Sequence, residues 1–285
     1  MPADERDAPS VGPYRLLRLI GRGAVGEVHA ALDARDGRQV ALKLVPLGRA
    51  GDRDADERRR RFLAEAALTR RLVHPHIVAV HAAGIESDRG WIAMELLAGC
   101  DLERYTAAAR LLPEPEVLRI GACVALALAH AHAHGVLHRD VKPGNVIVDW
   151  PTRRVTLTDF GAARLADAES TRTGVIVGTP DYMAPEQLAG RPCDARTDLY
   201  ALGVVLYQLL SGRLPHDAPT MGELLRRVAT EPAPDLRALR PELPPALAGL
   251  VAELLERDPE RRPASAAAVA ERLAALGAAS ASAPR

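Results

Sequence analysis

The spacing of apolar residues changes period once along the chain, at Leu97–Gly99, and this change limits the possible folds more than any other feature. Before it, short β-type runs dominate: 14–20, 25–32, 39–46, 77–83 and 91–94, separated by turn signals such as Asp36-Gly37. A single helix is predicted among them, over 55–72, where Phe62, Glu65, Ala66 and Thr69 share one face at i, i+3, i+4, i+7 spacing. Beyond Gly99 the spacing predicts helices over 102–109, 116–134, 197–210, 221–229 and 246–257. The expected fold class is therefore α+β, with a small β-rich part followed by a larger helical one. Within the helical part, between the predicted helices 116–134 and 197–210, the Pro- and Gly-punctuated stretch 159–187 exceeds the usual loop ceiling of about 12–15 residues and reads as a functional loop. Residues 277–285 are small and polar, as in a frayed tail.

Composition removes several function classes. Acidic and basic residues number 37 each among 285, so no net field draws the chain to nucleic acid or to an anionic membrane. Three cysteines, Cys100, Cys123 and Cys193, have neither disulfide-framework nor zinc spacing, and a reducing cytoplasm suits them. Residues 1–10 are polar and acidic, unlike a secretion signal, and the longest apolar run, near 199–210, is too short to span a bilayer. The expectation is a soluble cytoplasmic chain with no membrane segment. Only two of the basic residues are lysines, Lys43 and Lys142, and against so strong an arginine bias each calls for an explanation.

Gly21-Arg22-Gly23-Ala24-Val25-Gly26-Glu27-Val28 is a G-x-G-x-x-G-x-V run between two predicted strands. A dinucleotide-binding fingerprint would lead into a helix, whereas Gly26 leads into another β-type run, so the glycines belong to a hairpin able to approach phosphate closely. In Val40-Ala41-Leu42-Lys43, strand alternation puts Ala41 and Lys43 on one face. Glu65 sits on the core-facing side of the predicted helix, where a carboxylate needs a cation. Lys43 is the natural partner; Arg61, four residues earlier on the same helix, is the competing one.

His138-Arg139-Asp140-Val141-Lys142-Pro143-Gly144-Asn145 is followed nineteen residues after Asp140 by Asp159-Phe160-Gly161, and later by Ala184-Pro185-Glu186. Together with the glycine hairpin and Lys43, these motifs in this order resemble the protein kinases, most of all the eukaryotic-like serine/threonine kinases of bacteria, over about 14–275. The resemblance implies a bilobal fold with an N-lobe over 12–97 and a C-lobe over 98–275, a disordered extension over 1–11 and a flexible tail over 276–285. It implies ATP as cofactor with Mg2+, or Mn2+, and proteins bearing serine or threonine as substrates.

Residue by residue, the resemblance makes Asp140 the group that orients the substrate hydroxyl and accepts its proton. Asn145 and Asp159 become the metal ligands, Lys142 the γ-phosphate contact, and Lys43 with Glu65 the pair serving the α- and β-phosphates. It places Gly21, Gly23 and Gly26 over the phosphates. The adenine walls would be Ile20, Val28, Ala41 and Ile147, with Met94 as gatekeeper and Glu95 and Leu97 offering hinge backbone groups. Lys142-Pro143 and Gly178-Thr179-Pro180 resemble the serine/threonine branch, with Thr179 bridging Asp140 and Lys142. Glu186 is expected to pair with Arg262, and Asp198 to brace the catalytic-loop backbone. Arg139 and Arg164 would gather a phosphate on Thr171 or Thr173, with Ser170 as the nearest alternative. Autophosphorylation in trans would need a transient homodimer.

Two features are set aside. His130, His132 and His134 lack the acidic partner of a zinc helix, and their place near a helix end with Gly135 as cap suits the helix dipole. Arg58–Arg61 reads as a solvated helix face. Ala24 at the hairpin tip and His216 after Pro215, where the family often has an aromatic residue, depart from the pattern without removing a catalytic group. A non-catalytic kinase-like binding module and a small-molecule phosphotransferase are the competing readings. The retained Lys43, Asp140, Asn145 and Asp159 oppose the first, and the long segment ending in Ala184-Pro185-Glu186 opposes the second.

Overall fold

In the computed structural model the described residues are 9–23, 26–48, 53–160 and 180–282, and they form two compact units. The first is drawn from residues up to His74 and from Val78–Ala98; the second from Pro75–Ile77, Gly99–Phe160 and residues 180 onward.

The first unit is a six-stranded antiparallel sheet in the order β1-β2-β3-β4-β6-β5, made of β1 (Ser10–Val11), β2 (Tyr14–Gly23), β3 (Gly26–Asp33), β4 (Gln39–Pro46), β5 (Val80–Glu86) and β6 (Arg89–Glu95). One helix, α1 (Arg53–Thr69), packs on β5 and β6. Alternation gives the sheet two distinct faces. Tyr14, Ala31, Val40, Leu42, Leu44 and Ala93 pack on one of them, with Trp91 set edge-on to Tyr14. On the other, Val45 and Leu47 pack with Phe62 of α1, and Ala41 and Met94 pack with Val78 and Val28. Phe62, Ala66 and Thr69 are all buried, as the predicted helix face requires. The run expected to begin at Ile77 becomes a strand only at Val80. His76 and Ile77 belong to the other unit, where His76 Nδ1 donates to Val155 O at 2.8 Å and Ile77 bridges Leu157.

The second unit pairs a small sheet with a helical core. β7 (Cys100–Asp101), β8 (Val146–Asp149) and β9 (Arg154–Leu157) form the sheet. The helices are α2 (Glu114–Ala133), α3 (Pro185–Leu188), α4 (Ala195–Ser211), α5 (Met221–Thr230), α6 (Leu236–Leu239), α7 (Pro245–Leu254) and α8 (Ala266–Ser282). α4 is apolar on every side and buried along almost its whole length, the pattern of a core helix. It packs against α2 and α7, and α2 packs along α8. At Gly121 of α2 an added Cβ would lie 2.8 Å from Leu206 of α4 and 3.2 Å from Leu273 of α8, so these helices approach too closely for a side chain.

Three expectations change. The helix predicted over 102–109 is instead two short 3-10 turns, Glu103–Tyr105 and Ala108–Arg110. The tail expected to fray from Gly277 is helical through Ser282 in α8, anchored by buried Ala266, Val269, Ala270 and Leu273. By length and composition α2 could cross a membrane, a segment the apolar-run reading passed over; half of it is buried against its own unit.

His216 lies in this unit, only 5% exposed. Burial, with the nearby Arg227 and Arg257 charges, holds its pKa below the ordinary histidine value against the opposing pull of Glu231. A folded-state pKa that is lowered means the unfolded chain takes up a proton first as pH falls through about 6.5, so stability drops on acidification. His216→Phe should therefore lose less stability than wild type between pH 7.5 and pH 5.5 in urea denaturation. Equal losses would contradict this account.

Candidate active site

The glycine hairpin joins β2 to β3, with Arg22 across from Glu27 and Gly23 across from Gly26. Its glycines are not equivalent. Gly26 has φ +148°, and an added Cβ would fall 1.9 Å from Leu44 O, so the fold itself demands glycine there. Gly21 and Gly23 face open space. Among the described residues nothing would obstruct a side chain at either, so the room for a ligand to approach that the kinase resemblance implies is present there. Ala24 and Val25 at the tip lie outside the described residues.

Lys43 is 7% exposed on β4, across from Val28 on one side and Ile92 on the other. It shares its sheet face with Ala41 and with Val45, over which Phe62 of α1 packs. Glu65 is half-buried one turn farther along α1, with one carboxylate oxygen buried. Arg61, its local competitor, is engaged by Glu57 four residues before it. Of the expected adenine walls, Val28, Ala41, Met94 and Leu97 form one cluster, while Ile20 stands 40% exposed beside a β-bulge in β2. Glu95 ends β6, its N–H donating to Ala79 O at 2.9 Å. Ile147 lies on β8 in the second unit.

The second unit holds the catalytic motif in a tight hydrogen-bonded knot. Asp140 Oδ2 accepts from Lys142 Nζ at 2.8 Å and from Asn145 Nδ2 at 3.0 Å. The same Nδ2 donates to Asp140 O at 2.7 Å, so the Asn145 amide presents only Oδ1 to a ligand. Asn145 O accepts from Thr158 N at 2.9 Å, which sets the loop beside Asp159. Asp140 N–H donates to His138 Nδ1 at 3.2 Å; the ring hydrogen is therefore on Nε2, which donates to Thr158 O at 2.7 Å. His138 also packs on Phe160 at 4.5 Å between ring centroids. Arg139 and Asp159 both adopt φ +64°, a left-handed conformation costing on the order of 1 kcal/mol or more in a residue with a side chain. At Arg139 the strain is held in place by a buried acid. Asp198, 0% exposed on α4, accepts from His138 N at 2.9 Å and Arg139 N at 2.7 Å.

A third donor to Asp198 escaped the sequence: His132 Nε2, at 2.8 Å. The dipole reading of that histidine cluster is thus corrected for His132, which points from α2 to Asp198; His130 and His134 stack on each other at 4.4 Å. Burial raises the Asp198 pKa, but the His132 hydrogen bond and the His138 backbone N–H outweigh it, holding the carboxyl below its ordinary range. Gln187 was also missed; its Nε2 donates to Arg139 O at 3.0 Å.

Glu186 and Arg262 meet in a buried two-pronged pair, Nη1 to Oε1 at 2.7 Å and Nη2 to Oε2 at 2.8 Å. Arg164, Thr171, Thr173 and Thr179 lie outside the described residues. Chemically, a carboxylate at Asp159 and a free amide oxygen at Asn145 are hard donors of the kind that suit Mg2+ or Mn2+.

The chain belongs to the protein kinase family: the model described as protein kinase domain matches residues 14–273. It is 40% identical over 265 residues to the DNA damage-responsive serine/threonine-protein kinase RqkA of Deinococcus radiodurans, covering 91% of this chain and 39% of that protein. It is 38% identical over 271 residues to the serine/threonine-protein kinase PknA of Mycobacterium tuberculosis, covering 93% of this chain and 61% of that one. It thus spans between about two fifths and three fifths of the length of these relatives. Its fold matches the crystal structure of Rad53 1–466 in complex with AMP-PNP, with a TM-score of 0.75 at 23% identity, covering 91% of this chain and 64% of that one.

Proposed function

We propose that the chain transfers the γ-phosphoryl group of ATP to serine or threonine hydroxyls of proteins. The observation that carries this reading is the Asp140 carboxylate. Lys142 and Asn145 bond Oδ2, no other described residue is seen to bond Oδ1, and that oxygen would orient a hydroxyl and receive its proton. In the transfer, the hydroxyl oxygen forms a bond to the γ-phosphorus as the bond to the β–γ bridging oxygen breaks. Lys142, held at Asp140, would neutralise charge on the transferred group. Asn145 and Asp159 would hold Mg2+ or Mn2+, which supplies charge neutralisation at the phosphates. Lys43, steadied by Glu65, would hold the α- and β-phosphates. The cluster of Val28, Ala41, Met94 and Leu97 supplies an apolar surface for adenine, to which Ile20 and Ile147 would add.

Activation would follow autophosphorylation of Thr171 or Thr173 by a second copy in a transient homodimer, with the phosphate gathered by Arg139 and Arg164. Thr179 would bridge Asp140 and Lys142 in the active arrangement. The test incubates purified protein with labelled ATP and Mg2+, compares wild type with Asp140→Asn, and maps the modified residues. Loss of general-base and orienting function should lower labelling at least about 100-fold. Equal labelling of the two proteins would refute the mechanism, and modification found only outside 159–186 would refute the activation scheme.

A further inference from the structure

The pairing of β3 with β4 ends at Glu27 and Leu44, one residue from the start of β3, and β2 is solvent-exposed from Leu17 to Gly23. The hairpin tip therefore projects past the apolar layer built on Tyr14, Ala31, Leu42 and Trp91. Three polar side chains continue that layer. Glu27 and His29 alternate onto the face of Ala31, opposite the face of Val28, and Arg22 stands directly across from Glu27 on β2. Arg22 Nε donates to Glu27 Oε1 at 3.0 Å and His29 Nε2 donates to Glu27 Oε2 at 3.1 Å, so one carboxylate uses both oxygens to tie two strands together. His29 is the inner anchor, its side chain 16% exposed, whereas Arg22 is 72% exposed. The Glu27 carboxylate is held below its ordinary pKa, first by the His29 hydrogen bond; burial opposes this, and the Arg22 charge and hydrogen bond add to the lowering.

We propose that Glu27 is a positioning residue for the phosphate lid: by clasping Arg22 to His29 on the face away from the nucleotide, it holds Gly21 and Gly23 in the conformation that binds phosphate. The clasp makes no contact with the reacting atoms. Its loss should weaken nucleotide binding and leave the chemical step unchanged. This proposal rests on the reading of the chain as an ATP-dependent kinase.

The experiment measures ATP dissociation by calorimetry and steady-state phosphorylation of a generic protein substrate, using the full chain at pH 8. Four proteins are compared with wild type: Glu27→Gln, Glu27→Arg, Arg22→Glu and the exchanged double variant Arg22→Glu/Glu27→Arg. Glu27→Gln should raise the ATP Kd and KM about threefold to fivefold, with kcat within about twofold of wild type. Glu27→Arg should raise them further through like-charge repulsion, and the exchanged pair should recover most of the loss relative to either single reversal. An unchanged KM in Glu27→Gln, a fall in kcat in place of the rise in KM, or no recovery in the exchanged pair would overturn the clasp. Failure of the wild-type protein to bind ATP would overturn the underlying kinase reading instead.

Discussion

Lys43→Arg, which preserves charge in a protein whose other basic residues are arginine except Lys142, is expected to lower kcat/KM for phosphoryl transfer at least about 100-fold. Lys43 is 7% exposed and stands on the sheet face that Phe62 and α1 cover, so its ammonium emerges into limited space. An ammonium is a compact point charge with three donors, and it can serve a carboxylate and two phosphate oxygens at once. A guanidinium is a planar fork, longer and wider, which would displace either Glu65 or the phosphates by about 1 Å, enough to remove the alignment that in-line transfer needs. The fold should survive, because the stem still packs between Val28 and Ile92 and overpacking at one partly polar site costs roughly 1–3 kcal/mol. Phosphate transfer and thermal melting by circular dichroism separate the two effects. Wild-type turnover would remove Lys43 from its role, and an unfolded variant would show that the site tolerates no repacking. Lys43→Met then provides the second check, with the charge deleted at nearly constant volume and the same loss of transfer expected.

What could be read from the sequence depended on how local the interaction is. The β-rich beginning, α1, α2 and α4 follow from periodicity, since each buries a stripe that recurs along a contiguous segment. The catalytic loop was legible on other grounds, as a contiguous motif that resembles the kinases; the structure brings its Asp140, Lys142 and Asn145 together within six residues. His132 was not legible, because its partner Asp198 is 66 residues away and a histidine near a helix end already has a local explanation. α8 was missed because alanine and serine dominate it, yet Ala266, Val269, Ala270 and Leu273 do keep i, i+3, i+4, i+7 spacing. The turns at 103–110 were misread in the other direction, since Leu102 is fully buried but the residues of both turns are not, so the apolar spacing there reports a single anchor and not a face.

Arg262→Ala should destabilise the second unit by about 3–5 kcal/mol, the cost of leaving a buried ion unpaired. The Arg262 side chain is 0% exposed and that of Glu186 7%. The guanidinium binds both Glu186 oxygens, donates to Arg196 O at 2.8 Å and Glu256 O at 2.8 Å, and lies over the Tyr200 ring at 5.0 Å. Thr197 Oγ1 adds a donor to Glu186 Oε1 at 2.9 Å. Burial alone would raise the Glu186 pKa, but the Arg262 hydrogen bonds and charge, helped by Thr197, outweigh it and hold the carboxyl below its ordinary range. In wild type, then, the contribution of Glu186 is fully present above about 4.5 and is lost as pH falls through its lowered folded value. Without Arg262 burial dominates, the folded pKa rises above the unfolded one, and the sign reverses: the penalty is present at neutral pH and relieved as acid protonates Glu186. Urea denaturation at pH 7 and pH 4 should therefore show a larger gap between wild type and Arg262→Ala at pH 7 than at pH 4. Arg262→Lys keeps a cation but loses the fork, so it should fall between the two at pH 7. A gap independent of pH would mean that Arg262 stabilises the unit through its carbonyl and Tyr200 contacts and not through Glu186.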